Sequence, residues 1–318
     1  MHVRKVQLIA GSTYTISLPK KWVKENNISA GQSLSVTEKD DSVVIRSNIT
    51  FNETETNAII DINKYKNIIT QIIYSLYYYG VNEIHINSEK TTINEATKEK
   101  IKKTLANLMG GEIIYDYKNK LRIKFFISDK KIDIPQLLIR ILLLIKQQIS
   151  NILEDKLENC KSIESDVNKL NNLITRNLFS TLKNKTSRYS SVVINEKNAF
   201  LYNRLLMRLE KISDHLSDLI DYVREMPRPN KEIQENLNMS LELVNKHITR
   251  IVAKKEFYSI DENNREKILS NVKRIKDPLL RYTFRNIFKL TMACENDIIS
   301  IYFYKNDIKS LITSNNSV

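Results

Sequence analysis

The stretch that most constrains the fold of this chain is residues 4–28, RKVQLIAGSTYTISLPKKWVKENNI. Apolar and polar residues alternate loosely up to Gly11, and residues 13–18 are mostly β-branched or aromatic, so two short strands are predicted. Pro19 ends the second strand, because proline has no amide hydrogen for a strand ladder and suits the first turn of a helix. A short helix over residues 20–26 is predicted to follow.

Two more strands are predicted at residues 34–36 and 43–45, joined by a polar turn. The resulting order is strand, strand, short helix, strand, strand within roughly fifty residues. A unit of that size is too small to bury an adequate core alone, so we expect it to dimerise.

These residues resemble the swapped-hairpin DNA-binding domain of the AbrB/SpoVT family. The resemblance covers residues 3–47, and it is carried by RKV at 4–6, ISLPKKW at 16–22 and the turn NISAG at 27–31. The combination is especially similar to archaeal proteins in which this domain is fused to a PhoU-like helical region. The resemblance implies that residues 1–50 form a homodimer that binds DNA.

Candidate DNA contacts come from the basic side chains of this domain. Residues 1–50 carry seven basic and four acidic side chains, a net charge of +3 that dimerisation doubles. Arg4 and Lys5 match the basic opening of the family pattern, and Lys24 matches the family's helix arginine. The candidate DNA-binding residues are Arg4, Lys5, Lys20, Lys21 and Lys24. The alternative is that Lys20 and Lys21 are ordinary lysines of a helix surface.

The whole chain is basic, with a formal net charge of +13 and a pI near 9.4. This balance favours an anionic partner, either nucleic acid or a membrane surface, although a general abundance of Lys could produce much of it. The longest apolar run, residues 137–145, contains Arg140 and is too short to span a bilayer. With two cysteines and no signal peptide, the sequence predicts a reducing, cytoplasmic location without membrane insertion.

Glycine usage marks a change of architecture, since all five glycines lie at or before Gly111. Residues 57–128 are predicted to form a small α+β linker module. Its predicted elements are a helix from Asn57 to a C-cap at Gly80, a strand at 83–86, a helix at 92–109 and a strand pair at 112–117 and 121–127. The clustered Tyr77, Tyr78 and Tyr79 are either a stacking platform for bases or simply packing.

Residues 132–310 are predicted to be entirely helical. The six predicted helices are 134–158, 161–184, 196–226, 230–256, 261–276 and 278–305, and prolines fall at their ends. Helices of this length and number predict a pair of antiparallel three-helix bundles. The fold class predicted for the whole chain is therefore multidomain α+β.

The third of these helices carries LEKISDH at 209–215, which resembles the LERIxDH signature of PhoU proteins. Glu210 and Asp214 are four residues apart, so their carboxylates are neighbours on the helix. This spacing fits either a divalent cation between them or a solvated acidic stripe. The resemblance favours the cation, because PhoU proteins hold metal clusters between such pairs.

The matching acidic motifs on the neighbouring helices depart from the family pattern. Asn168 stands where an Asp is usual, and Glu295-Asn-Asp297 lacks the spacing of four residues. We therefore expect at most one weak site for Mn, Fe or Zn, formed by Glu164, Glu210 and Asp214. His215 is predicted to lie on the bundle surface without binding the metal.

No nucleotide-binding loop, metalloprotease motif or nucleophile elbow occurs, and the four histidines are scattered, so an enzyme is not predicted. The resemblances together predict a DNA-binding transcriptional regulator of phosphate uptake or homeostasis, whose PhoU-like helices sense a metal or a transporter. The alternative is a PhoU-type accessory protein that binds a phosphate-transport complex and uses its N-terminal domain only to dimerise.

Overall fold

The computed structural model describes residues 3–39, 42–47, 56–89, 92–127, 132–154, 156–183, 196–223 and 262–306, with five isolated positions between 235 and 246. The chain divides into two compact units, Met1–Thr54 and Glu55–Val318. It is a multidomain α+β protein with a small N-terminal region of β-hairpins and a large helical C-terminal part.

The N-terminal unit consists of two antiparallel hairpins and one short helix. Its elements are β1 (Gln7–Ile9), β2 (Thr13–Thr15), α1 (Lys20–Glu25), β3 (Ser35–Lys39) and β4 (Ser42–Arg46). β1 pairs with β2, and β3 pairs with β4, in two separate two-stranded sheets. The predicted order of elements is confirmed, although β2 ends earlier than the sequence pattern indicated.

The second unit begins with an α+β part built on a four-stranded sheet. Its elements are β5 (Asn57–Asp61), α2 (Ile62–Tyr65), a 3-10 turn (Lys66–Ile68), α3 (Ile69–Tyr78), β6 (Glu83–Asn87), α4 (Glu95–Ala106), β7 (Gly111–Tyr117) and β8 (Lys120–Phe125). The strand order is β5-β6-β8-β7, with β5 and β6 parallel and the other neighbours antiparallel.

The prediction that a helix starts at Asn57 is wrong, because residues 57–61 form strand β5. Ile60 lies opposite Ile86 of β6 and is buried in the core. The isoleucines at 59, 60 and 62 fit a helical spacing as well as a strand, and the parallel pairing with β6 decides for the strand.

The sheet has one buried and one exposed face. Ile84 and Ile86 of β6 and Leu121 and Ile123 of β8 are fully buried, in one cluster with the apolar side chains of α3 and α4. Successive side chains of a strand point to opposite faces, so the residues between them lie on the other face. We call this second face the open face; it carries Asn57, Ile59, Asp61, Glu83, His85, Asn87, Glu112, Tyr115, Tyr117, Lys120, Arg122, Lys124 and, just beyond β8, Phe126.

The remaining described elements are long helices around a single apolar core. They are α5 (Ile134–Leu153), a 3-10 turn (Leu157–Asn159), α6 (Cys160–Lys183), α7 (Glu196–Val223), α8 (Glu262–Arg274) and α9 (Pro278–Asn306). Five of the six predicted helices are confirmed to within a few residues. The predicted helix at 230–256 lies outside the described residues, apart from scattered positions.

Capping residues explain where two of these helices begin. Asp133 accepts a hydrogen bond from the amide of Gln136 at the start of α5 (3.3 Å), and Asp277 accepts one from Leu280 at the start of α9 (2.9 Å). Each carboxylate satisfies an amide that has no partner within the helix and lies at the positive end of the helix dipole.

Arg176 of α6 connects the sheet-containing part to the helices. Helix α3 ends at a Schellman motif in which Gly80 has φ of 85° and Val81 donates to the carbonyl of Leu76. The fully buried Arg176 donates from one guanidinium nitrogen to the carbonyls of Tyr77 and Val81, both at 3.0 Å. Its positive charge therefore lies at the negative end of the α3 dipole.

A second contact joins the same elements. The hydroxyl of Tyr78 donates to Asn172 of α6 at 2.6 Å, and the Asn172 amide donates to the carbonyl of Asn107 at 2.9 Å. The predicted division between residues 57–128 and 132–310 thus runs inside one compact unit.

None of the described helices is both long enough and apolar enough to cross a membrane.

Replacing Arg176 with Met should destabilise the second unit by about 2–4 kcal/mol, because two buried carbonyls lose their donor while the apolar volume is kept. The measurement is urea unfolding followed by circular dichroism. Arg140→Met, at an exposed position on α5, is the matched control and should change stability by less than about 0.5 kcal/mol. Equal stability of the two variants would contradict this role for Arg176.

Candidate nucleic-acid interface and charged clusters

The structure exposes all five of the predicted DNA-binding side chains. Arg4 and Lys5 precede β1. Lys20, Lys21 and Lys24 lie on α1, whose N-cap is Pro19 in an extended conformation. Trp22 and Val23 of the same helix are half-buried, so α1 is anchored through these two side chains while its lysines face solvent.

The N-terminal unit also exposes apolar side chains on its strands. Leu8 is 53% exposed and Val43 is 62% exposed, and Tyr14, Val36 and, just after β2, Ile16 are exposed to a comparable or greater degree. Between residues 3 and 47, no side chain that the structure describes is buried. A single copy therefore has almost no core, and its strands leave apolar surface for another partner to cover.

Glu210 and Asp214, the acidic pair of α7, both lie close to the amino group of Lys211. The amino group of Lys211 lies 2.6 Å from the Asp214 carboxylate and 3.7 Å from that of Glu210. The hydrogen bond to Asp214 raises the pKa of Lys211. A cation supplied by the chain itself therefore already offsets part of the repulsion between the two carboxylates.

Glu210 has an unfavourable environment for its charge. Burial raises its pKa first, followed by the neighbouring charge of Asp214, and Glu164 adds a smaller contribution in the same direction. All three predicted metal-binding residues therefore share one electrostatic neighbourhood. Yet in the described part of the chain, no three His, Cys, Asp or Glu side chains are grouped so that they could hold a metal. The metal site stays a prediction.

Tyr78 of α3 is close enough to Glu210 to feel its charge. Burial raises the pKa of its hydroxyl to about 12, with smaller contributions from Tyr74 and Glu210. Tyr77 is fully buried, and its ring packs edge-on against Phe125 at 5.0 Å between centroids. Packing therefore accounts for Tyr77 and much of Tyr78, and only Tyr79 of the cluster is largely exposed.

Sequence reasoning missed a buried charge cluster between α7 and α9. Asp297 is fully buried and accepts hydrogen bonds from Arg204 (2.8 Å from its Nε) and from Arg208. This pairing raises the pKa of Arg204. The sequence signal for this cluster was the spacing of Arg204 and Arg208, which are one helical turn apart.

A second buried carboxylate on α9 is neutralised in the same way. Glu295 is fully buried and accepts from Nε of Arg265 on α8 at 2.9 Å. The residues that depart from the PhoU pattern, Glu295 and Asp297, are thus bound to arginines. The neighbouring Cys294 is buried in the helical core, and burial raises the pKa of its thiol well above its usual range, which keeps it uncharged.

Because the folded state raises the pKa of Glu210, ionising this group near neutral pH lowers the stability of the second unit. Glu210→Gln should therefore raise the melting temperature at pH 7, by less than about 1 kcal/mol in stability because the group is partly solvated. The gain should disappear as the pH falls below the ordinary pKa of glutamate, about 4.3, because the carboxyl is then protonated in both the folded and the unfolded state. Differential scanning calorimetry measures both effects.

The same two proteins test the predicted metal. Added Mn²⁺, Fe²⁺ or Zn²⁺ should stabilise the parent by mass action and leave Glu210→Gln unchanged if Glu164, Glu210 and Asp214 bind it. Glu266→Gln, an exposed carboxylate on α8, is the matched control. If none of these metals stabilises the parent or the Asn168→Asp variant, the prediction of a metal site is wrong.

Comparison with known proteins identifies only the N-terminal region. Residues 7–49 match the family model described as antidote-toxin recognition MazE, bacterial antitoxin. No curated protein and no solved structure matches the chain. The matched stretch contains Lys20, Lys21 and Lys24, whereas Arg4 and Lys5 precede it. The resemblance of the helical part to PhoU stays a prediction, and residues 7–49 form a MazE/AbrB-type, antitoxin-like N-terminal domain.

Proposed function

We propose that this protein is a DNA-binding transcriptional regulator whose N-terminal units bind DNA as a dimer. The observation that carries the proposal is the N-terminal unit itself, which exposes basic side chains and apolar strands together and has no buried side chain among those described. Its MazE/AbrB-type family match supports the same conclusion.

Dimerisation is the first step of the argument. Exposed strand residues such as Leu8 and Val43 gain about 1.5–3 kcal/mol each when fully buried, and a second copy offers the same apolar surface. Two hairpins from each chain can then form one core that neither chain forms alone. The resulting two-fold symmetry doubles the basic surface.

DNA binding is the second step. Arg4, Lys5, Lys20, Lys21 and Lys24 are exposed cations on a unit of net positive charge. Contacts to phosphates hold a protein on the duplex, and a two-fold dimer fits a palindromic site. The cytoplasmic location follows from this role.

The role of the helical part belongs to the same proposal. By its resemblance to PhoU, the second unit senses a divalent metal or a phosphate-transport complex and adjusts DNA binding, so the controlled process is phosphate uptake or homeostasis. The sequence signature at residues 209–215 supports this assignment. The alternative remains a PhoU-type accessory protein whose N-terminal domain only dimerises.

The family match favours a second candidate, an antitoxin-type regulator. The matching model is described by its recognition of a toxin, and the exposed apolar strands would suit a protein partner as well as a second copy. DNA binding is common to both candidates. A toxin-type partner would co-purify with the protein as a stable complex, whereas the first candidate needs none.

The double change Arg4→Ala with Lys5→Ala should weaken DNA binding. It should also make the affinity less dependent on the salt concentration. Each lost phosphate contact reduces the slope of log K against log salt by about 0.9, so four contacts in a dimer reduce it by about 3 to 4. Fluorescence anisotropy on a DNA duplex selected from co-purified fragments, between 50 and 200 mM salt, measures the slope.

The matched control is Lys64→Ala with Lys66→Ala, which removes two exposed cations from the second unit. The control should retain the parent slope and the dimer. If the Arg4 and Lys5 variant keeps the parent slope as well, these two residues do not contact DNA.

Leu8→Asp with Val43→Asp should convert the dimer into monomers, because an aspartate cannot be buried unpaired in the shared core. Both positions are exposed in a single chain, so a loss of association in this variant would show that they lie in the contact between the two copies. Sedimentation velocity measures it, and Leu279→Asp, at a similarly exposed position on α9, is the control. Residues 1–50 expressed alone should also sediment as a dimer, and a stable folded monomer would contradict the proposal.

A further inference from the structure

The open face of the four-stranded sheet carries three exposed aromatic rings, each with a cation beside it. Tyr115 is 43% exposed, Tyr117 is 56% exposed and Phe126 is 62% exposed. Arg122 lies 5.5 Å from the Tyr115 ring centre, Lys118 lies 5.6 Å from that of Tyr117, and Lys124 lies 5.9 Å from that of Phe126.

Register places these groups in rows across the two neighbouring strands. Arg122 of β8 is the partner of Tyr115 of β7, and Lys120 is the partner of Tyr117. Tyr115 and Tyr117 are two positions apart on one strand, so their Cα atoms are about 7 Å apart and both side chains lie on the same face. Each of these two rows thus places a ring of β7 beside a cation of β8, just past the register irregularity between Ile113 and Tyr115.

The acidic groups of this face are Glu83 and Glu112 at the Lys124 end and Asp61 on β5, which shares a row with Tyr117 but lies two strands from β8. Glu83 and Glu112 are both register partners of Lys124, and Glu83 also lies 2.8 Å from His85. The two rows with Tyr115 and Tyr117 carry no acidic side chain on β7 or β8. Positive charge and aromatic rings therefore coincide at the β7–β8 hairpin end.

The hairpin turn holds a lysine in an unfavourable backbone conformation. Lys118 has φ of 37°, in the left-handed region where glycine or asparagine is preferred. The turn is fixed by hydrogen bonds from the amide of Ile93 to the Lys118 carbonyl (2.9 Å) and from the amide of Ser88 to the Asn119 carbonyl (2.8 Å). A charged residue at this strained position is consistent with a binding role.

We propose that the open face binds single-stranded nucleic acid, with bases stacked on Tyr115 and Tyr117 and phosphates paired with Lys118, Lys120 and Arg122. Unpaired bases stack on aromatic rings and guanidinium planes, and the backbone needs cations nearby. Rings can stack only on bases that are not already stacked within a duplex, so the ligand has exposed bases. The residues of this site all belong to the second unit, whereas the duplex contacts proposed above belong to the N-terminal unit.

The chemistry of the face favours this ligand over an acidic peptide. A peptide carboxylate would use the cations and leave the rings without a role, whereas a nucleotide uses both. Exposed large aliphatic side chains among the described residues of the four strands are few, Ile59 on β5 and Ile114 at the register irregularity of β7, so the face offers little to an apolar protein partner.

The experiment uses the full chain carrying Arg4→Ala and Lys5→Ala, so that duplex binding is weakened. Fluorescence anisotropy with a single-stranded 20-nucleotide DNA and the RNA of the same sequence shows which strand type binds. Tyr115→Ala with Tyr117→Ala should weaken binding at least tenfold, because each stacked base contributes about 1–3 kcal/mol. Tyr115→Phe with Tyr117→Phe keeps the rings and should bind like the parent.

Two controls separate the site from general charge and from misfolding. Lys102→Ala with Lys103→Ala removes exposed lysines of α4, on the helical side of the sheet, and should change affinity less than twofold. Circular dichroism confirms folding of each variant. Unchanged binding in the Tyr115 and Tyr117 alanine variant overturns the proposal, as does a change in its sedimenting mass, which would make the face a contact between copies.

Discussion

The guanidinium of Arg176 is the interaction on which the architecture of the second unit depends. It lies fully buried at the C-terminal end of α3, donates to two carbonyls and lies 5.0 Å from the Tyr77 ring centre and 5.6 Å from that of Phe125. A buried guanidinium is costly unless it is fully engaged. The sheet and the long helices must therefore keep one fixed arrangement around it, which gives the open face a rigid support.

Arginines also determine what the acidic residues of the helices can do. Asp297 and Glu295 are neutralised by arginines of α7 and α8, so their charges are unavailable to an external cation. Glu210 and Asp214 differ, because their partner is a lysine on the same helix, itself largely exposed. If any metal binds the helical part, it has to compete with the Lys211 ammonium rather than with a buried guanidinium.

The predictions of secondary structure from the sequence were most accurate where local residues determine the structure. Pro19, Gly11 and the alternating residues placed the elements of the N-terminal unit, and prolines placed the ends of the long helices. Strand β5 was missed because Ile59 and Ile60 fit two periods, and only pairing with β6 selects one. The Arg204–Asp297 contact spans 93 residues of sequence and depends on packing of α7 against α9, which no local pattern shows.

The two exposed surfaces of the chain differ in what they require from a partner. In the N-terminal unit the exposed strand residues include several apolar side chains and no described side chain is buried, so the proposed dimerisation would supply the core as part of folding. Beneath the open face, by contrast, Ile84, Ile86, Leu121 and Ile123 are already buried, so this sheet is stable without a ligand. Its rings and cations stay in contact with water, as they are in the unfolded chain, so folding does not require that they be covered. Dimerisation is therefore expected to be permanent, and occupation of the open face reversible.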